Sequence, residues 1–127
     1  MKLKAYSERP RRRWISARTR EHRYASYMEA WRAKVERIGN LNYPQAARDR
    51  RLSGTLLLDV ALKADGTIHD MTIRRSSGKQ VLDDAAMNIV RLAAPFARFP
   101  ESIRKETDIL HIERTWSFET GQHFSSR

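Results

Sequence analysis

Gly54-Thr-Leu-Leu-Leu-Asp-Val-Ala-Leu-Lys63, Ala64-Asp65-Gly66-Thr67 and Ile68-His-Asp-Met-Thr-Ile-Arg-Arg-Ser76 together decide the fold. The spacing predicts two strands joined by a tight turn. Asp-Gly between apolar alternations is a strong hairpin signal, because both central positions of a type I′ turn need positive φ. In the first strand Leu56, Leu58, Val60 and Leu62 share one face by the period of two. The opposite face carries Thr55, Leu57, Asp59, Ala61 and Lys63, and Leu57 and Ala61 make it half apolar. A strand apolar on both faces belongs in the middle of a sheet. In the second strand Met71 and Ile73 are in phase but Ile68 is not, and one extra residue near His69-Asp70, as in a β-bulge, restores the pattern.

Working outward, residues 21–38 show a helical stripe of Tyr24, Tyr27, Met28, Trp31, Val35 and Ile38, with Gly39-Asn40 as the expected stop. Tyr43-Pro44 opens a short helix containing Ala46 and Ala47. After the hairpin, Leu82, Ala85, Ala86, Ile89, Val90 and Ala93 mark a second long helix, stopped by Pro95. Phe96, Phe99 and Pro100 form an apolar connector, and Asp108–Glu119 alternate as a last strand. The expected fold is therefore α+β, a two-layer sandwich with a mixed three-stranded sheet and two helices on one face. The first strand of the hairpin is central (order 2-1-3), and the last strand reaches the sheet by a parallel crossover. That last strand is left at an edge, with backbone groups free.

The charge is uneven. Residues 1–23 hold nine Lys/Arg and two Glu, a net of +7, whereas the remainder holds sixteen and thirteen, a net of +3. Residues 1–20 read as a basic flexible arm or linker end, residues 21–119 as the folded domain and residues 120–127 as a disordered tail. Such an arm suits an anionic partner such as cell-wall polymer. A nucleic-acid partner is not expected, because most of the excess charge lies outside the folded part and the helix–strand order is not that of the common RNA modules. With no cysteine there is no disulfide, thiolate metal site or Cys nucleophile. His22, His69, His111 and His123 lack metal-ligand spacing, and Asp83-Asp84 fit a helix start better than an acid/base pair. No enzymatic activity, metal or cofactor is expected.

Tyr43-Pro44 with two Ala, Leu52-Ser-Gly-Thr55, Asp59-Val60, Ala64-Asp65-Gly66, Ser76-Ser-Gly78, Leu82-Asp-Asp-Ala85-Ala86, Ala94-Pro95-Phe96 and Phe99-Pro100 resemble the C-terminal domain of TonB-family energy transducers across about residues 24–119. The resemblance implies a periplasmic domain, carried in that family by an inner-membrane helix that works with ExbB and ExbD on the proton gradient. It implies binding of the TonB box, an extended segment of an outer-membrane receptor. The chain as given has neither such an anchor nor a Pro-rich spanner, and the arm and long first helix are not core family features. The resemblance puts the receiving edge at Ile109, Leu110, His111, Ile112, Glu113 and Arg114, and a second receptor-contacting segment at Asn40, Asn42, Tyr43 and Pro44. Tyr43-Pro44 serves equally as a structural corner. An open edge accepts a peptide as an added strand, and it equally permits a strand-paired dimer in place of a monomer.

Overall fold

The computed structural model describes residues 9–120 and 122–127. Its elements are β1 (Arg12–Ser16), α1 (His22–Leu41), α2 (Gln45–Asp49), β2 (Gly54–Lys63), β3 (Ile68–Arg75), α3 (Gln80–Ala93), α4 (Glu101–Arg104), β4 (Ile109–Glu119) and β5 (His123–Ser126). The sheet runs β1-β4-β2-β3, and β5 also pairs with β4. Its centre is the expected one. β2 lies between β3 and β4 and is antiparallel to both, so β3 and β4 are parallel to each other across it, as a helical crossover requires.

The hairpin has the expected bulge. Ala61 faces Asp70 and Leu62 faces Ile68, which leaves His69 as the extra residue. The turn differs in type. Of its residues only Gly66 has positive φ, at +89°, with Gly66 N–H donating to Lys63 C=O and Lys63 N–H to Thr67 C=O, both at 2.9 Å. This is the longer hairpin loop that ends in a left-handed glycine, not a two-residue type I′ turn. Gly66 is also required by close approach, since a Cβ there would lie 2.0 Å from the Phe96 carbonyl oxygen. The Phe96–Phe99 connector straps the turn through Phe96 N–H to Gly66 C=O (2.8 Å) and Phe99 N–H to Ala64 C=O (2.9 Å).

The stripes of α1 and α3 pack on one face of the sheet. Tyr24, Tyr27, Met28, Trp31 and Val35 of α1 and Leu82, Ala86, Ile89, Val90 and Ala93 of α3 are buried with Leu56, Leu58, Val60 and Leu62 of β2. Leu110, Ile112, Trp116 and Phe118 of β4 join the core with Phe96, Phe99, Ile103, Ile15, Tyr43, Ala47 and Phe124. Helix α1 runs past Gly39 to Leu41. Gly39 is inside the helix because a Cβ there would meet the Phe124 ring at 2.5 Å; it is a packing glycine rather than a terminator.

Both ends of the chain depart from expectation. The arm read over residues 1–20 includes residues 1–8, which lie outside the described residues. Residues 12–16, however, form β1, parallel to β4 with Arg12 opposite Ile109 and Ser16 opposite Glu113. The expected disordered tail includes β5, antiparallel to β4, with Phe124 opposite Phe118 and Ser126 opposite Trp116. β4 is therefore an interior strand, not an edge. A dimer paired through β4 would have to displace β1 or β5.

Candidate functional site

The outer edge of β4 carries the expected receiving segment. Ile109 N–H donates to Arg11 C=O at 3.1 Å, and backbone direction alternates along a strand. Ile109, His111 and Glu113 therefore aim their backbone groups at β1, while Leu110, Ile112 and Arg114 aim theirs at β2. The side chains alternate in the other sense. Leu110, Ile112 and Arg114 point toward the helices, and His111 and Glu113 lie on the opposite face with Asp59, which is opposite Glu113 in the ladder.

That opposite face holds a polar network. Asp59, only 2% exposed, faces His111 Nδ1 at 3.0 Å and accepts from Arg74 Nη2 at 3.0 Å. His111 Nε2 lies 2.9 Å from Arg12 Nη1. A guanidinium can only donate, so Nε2 accepts, the ring proton sits on Nδ1, and Nδ1 donates to Asp59. Arg74 Nε also approaches Glu113 at 3.5 Å. The Trp14 indole of β1 stacks on His111, ring centroids 4.3 Å apart and planes 14° apart. Nε2 of this His–Asp pair, the atom that would take a proton from a nucleophile, is engaged by Arg12 while β1 is in place. Among the described residues no group of three or more His, Cys, Asp or Glu could hold a metal ion.

β1 is tied down mainly at its start. Asp108 accepts from Arg11 N–H (2.7 Å), Nε (3.0 Å) and Nη2 (2.9 Å), and Arg11 Nη1 donates to Lys105 C=O at 2.8 Å. Those hydrogen bonds hold the Asp108 carboxyl below its ordinary pKa. Arg13 pairs with Glu21 at 2.6 Å and stacks over Tyr24. Ile15, 3% exposed, is the one side chain of the strand that enters the core.

The second expected group lies toward the other end of β4. Asn40 donates from Nδ2 to Phe124 C=O (2.9 Å) and accepts Phe124 N–H on Oδ1 (3.0 Å), which are the two bonds a neighbouring strand would supply to β5. Asn42 Nδ2 donates to Ile38 C=O at 2.9 Å and closes its own helix. Tyr43 is buried edge-on against Phe118. Burial pushes its phenol pKa up, and its hydroxyl has no partner among the described residues. Pro44 is the N-cap of α2. Asn40 and Tyr43 thus bear on the Trp116–Glu119 half of β4 and Ile109–Glu113 on the other half, so the two groups share a strand but not a pocket. Arg114 is separate again. It is buried under α1 and donates from Nε to Ser126 Oγ at 2.9 Å; burial lowers its pKa, as does the nearby Arg32.

Sequence reasoning missed Arg11, Trp14, Ile15 and Asp108. The available signal was Trp14-Ile15, two large apolar residues inside a basic run, with an acid just ahead of the last strand to receive one of the arginines.

A five-stranded mixed sheet with two long helices on one face and a strand edge spanned by short terminal strands defines a two-layer α+β domain. Residues 39–120 match the family model of the Gram-negative bacterial TonB protein C-terminal, and the chain belongs to that family. It is 31% identical over 84 residues to Protein TonB of Pasteurella multocida, covering 66% of this chain and 32% of that protein, so the chain spans about a third of its relative's length. The solution structure of the Helicobacter pylori TonB C-terminal domain superposes with a TM-score of 0.59 at 21% identity, over 75% of this chain and 81% of that one, and supports the fold. No helix among the described residues is long and apolar enough to cross a membrane.

Proposed function

We propose that this domain receives the TonB box of an outer-membrane receptor as an added strand on β4. It thereby transmits proton-motive energy from an ExbB/ExbD-type motor to active transport, in the periplasm and tethered to the inner membrane in the full-length protein. The observation that carries this reading is the pairing of β1 with Ile109–Glu113. The edge takes up an extended segment by backbone hydrogen bonds, which is the bond pattern of strand addition. Asn40, Asn42, Tyr43 and Pro44 then act at the far end of β4, where Asn40 already makes strand-like bonds to β5. The alternative, a basic arm binding cell-wall polymer or another envelope protein, has less support. Arg11, Arg12, Arg13 and Arg23 each have a partner inside the fold.

Amide shifts on titrating ¹⁵N-labelled protein with synthetic TonB-box peptides test the reading. Shifts concentrated on Ile109–Glu113 are expected, and shifts that leave β4 unmoved would refute it. Glu113→Pro removes an N–H that faces β1 without touching the β2 ladder; peptide binding is expected to vanish while the β2–β4 sheet and its helices persist.

A further inference from the structure

We propose that β1 is an intramolecular occupant of the receptor edge, which it must leave before a receptor segment can pair there. This rests on the receptor reading above and adds a closed state to it. Ile109, His111 and Glu113 have one outward backbone face, and β1 occupies it residue for residue. Two strands cannot share that face, so receptor segment and β1 are alternatives.

The way β1 is held suits a removable strand. It lies outside residues 39–120, the span the family model matches, as β5 and most of α1 also do, and what sets it apart is how lightly it is held. Only Ile15 is inserted in the core, while Trp14 is 53% exposed. The Arg11–Asp108 and Arg13–Glu21 pairs have side-chain exposures of 53%/43% and 40%/42%. Ion pairs this exposed contribute little against water.

The edge beneath keeps its shape without β1. His111 is oriented by Asp59 of β2, which is in turn held by Arg74 of β3. Departure of β1 removes Trp14 and Arg12 from the His111 ring but leaves those bonds in place. A preformed edge is then exposed, and affinity for a receptor segment is scaled by the fraction of molecules in which β1 is away.

A reversible cross-link tests this. The chain has no cysteine of its own. Arg11→Cys with Asp108→Cys joins two residues outside Ile109–Glu113 at the start of β1, where Asp108 N–H donates to Arg11 C=O at 2.8 Å, on neighbouring chain segments about 4.8 Å apart and within disulfide reach. The probes are synthetic peptides carrying the TonB boxes of the organism's outer-membrane receptors, measured by calorimetry against oxidised and reduced protein. Amide spectra check that the two forms share one fold. Binding to the reduced form and loss of at least about twentyfold in affinity on oxidation is expected for a competing strand. Equal binding to both forms would overturn the occupancy proposal and leave receptor binding standing at another edge. Binding to neither form would overturn both. As a second variant, Asp108→Ala loosens β1 without altering the receiving residues. It should tighten peptide binding about three- to fivefold, and unchanged or weaker binding would count against competition.

Discussion

β1 and β5 lie along the same outer edge of β4, one against Ile109–Glu113 and the other against Trp116–Glu119, and they are secured by different chemistry. β5 is built into the core. Phe124 is fully buried, stacked on Trp116 with ring centroids 4.9 Å apart, and seated over Gly39. Asn40 bonds both backbone groups of Phe124, and Glu36 accepts Ser126 N–H at 3.1 Å. β1 has one buried anchor, Ile15, and a polar clasp at its first residues. Dispersion and hydrophobic burial, which involve no ionisable group, carry most of the hold on β5. The clasp at Arg11 answers to both salt and pH. One half of the edge is permanent structure and the other is conditional.

Four changes would break or sharpen that contrast. Phe124→Ala should cost the most, about 3–5 kcal/mol for an aromatic removed from a packed core, read as a fall in the urea midpoint of the whole domain. Gly66→Ala comes next. It places a Cβ 2.0 Å from the Phe96 carbonyl at a φ of +89°, and should cost roughly 2–3 kcal/mol in strain and displaced connector, seen in the same melt. Ile15→Ala should cost about 2 kcal/mol, the low end for this truncation, because β1 can detach rather than leave a cavity. Hydrogen exchange should then rise at His111 and Glu113 while Trp116–Glu119 stays protected; equal loss in both halves would erase the distinction between them. The smallest effect is that of acid on the clasp. Asp108 has a lowered folded pKa, its hydrogen bonds from Arg11 being the main cause. Its contribution is complete above the ordinary aspartate range and is lost as pH falls through the depressed folded value. Exchange at the β1-facing amides should therefore increase in that acidic window, and Asp108→Asn should largely remove the step.

The centre of this fold was legible because its signals are local. The two-faced apolar pattern of Gly54–Lys63 placed β2 in the middle, Ile68 out of phase located the bulge at His69, and the helical stripes chose the buried side chains of α1 and α3. The termini were illegible for the opposite reason. Arg9-Pro10-Arg11-Arg12-Arg13 reads as self-repelling, and the groups that receive its arginines lie far away: Asp108 for Arg11 and His111 for Arg12. Phe124 in a short polar tail has no periodicity to report, and the glycine that receives it, Gly39, looks like a helix stop. The candidate site inherited this limit. Ile109–Arg114 was found as a strand, and what lay upon it was hidden in long-range pairings.

The Arg11 clasp has a mechanical side. A pull applied at Arg11 acts where the chain is tied to the residues just ahead of β4. Because β1 runs parallel to β4, tension directed along the strands loads the clasp and ladder together in shear. Tension directed away from the sheet meets the clasp alone and then opens the ladder one bond at a time, as a zipper. The same few bonds are thus strong or weak according to the direction of pull.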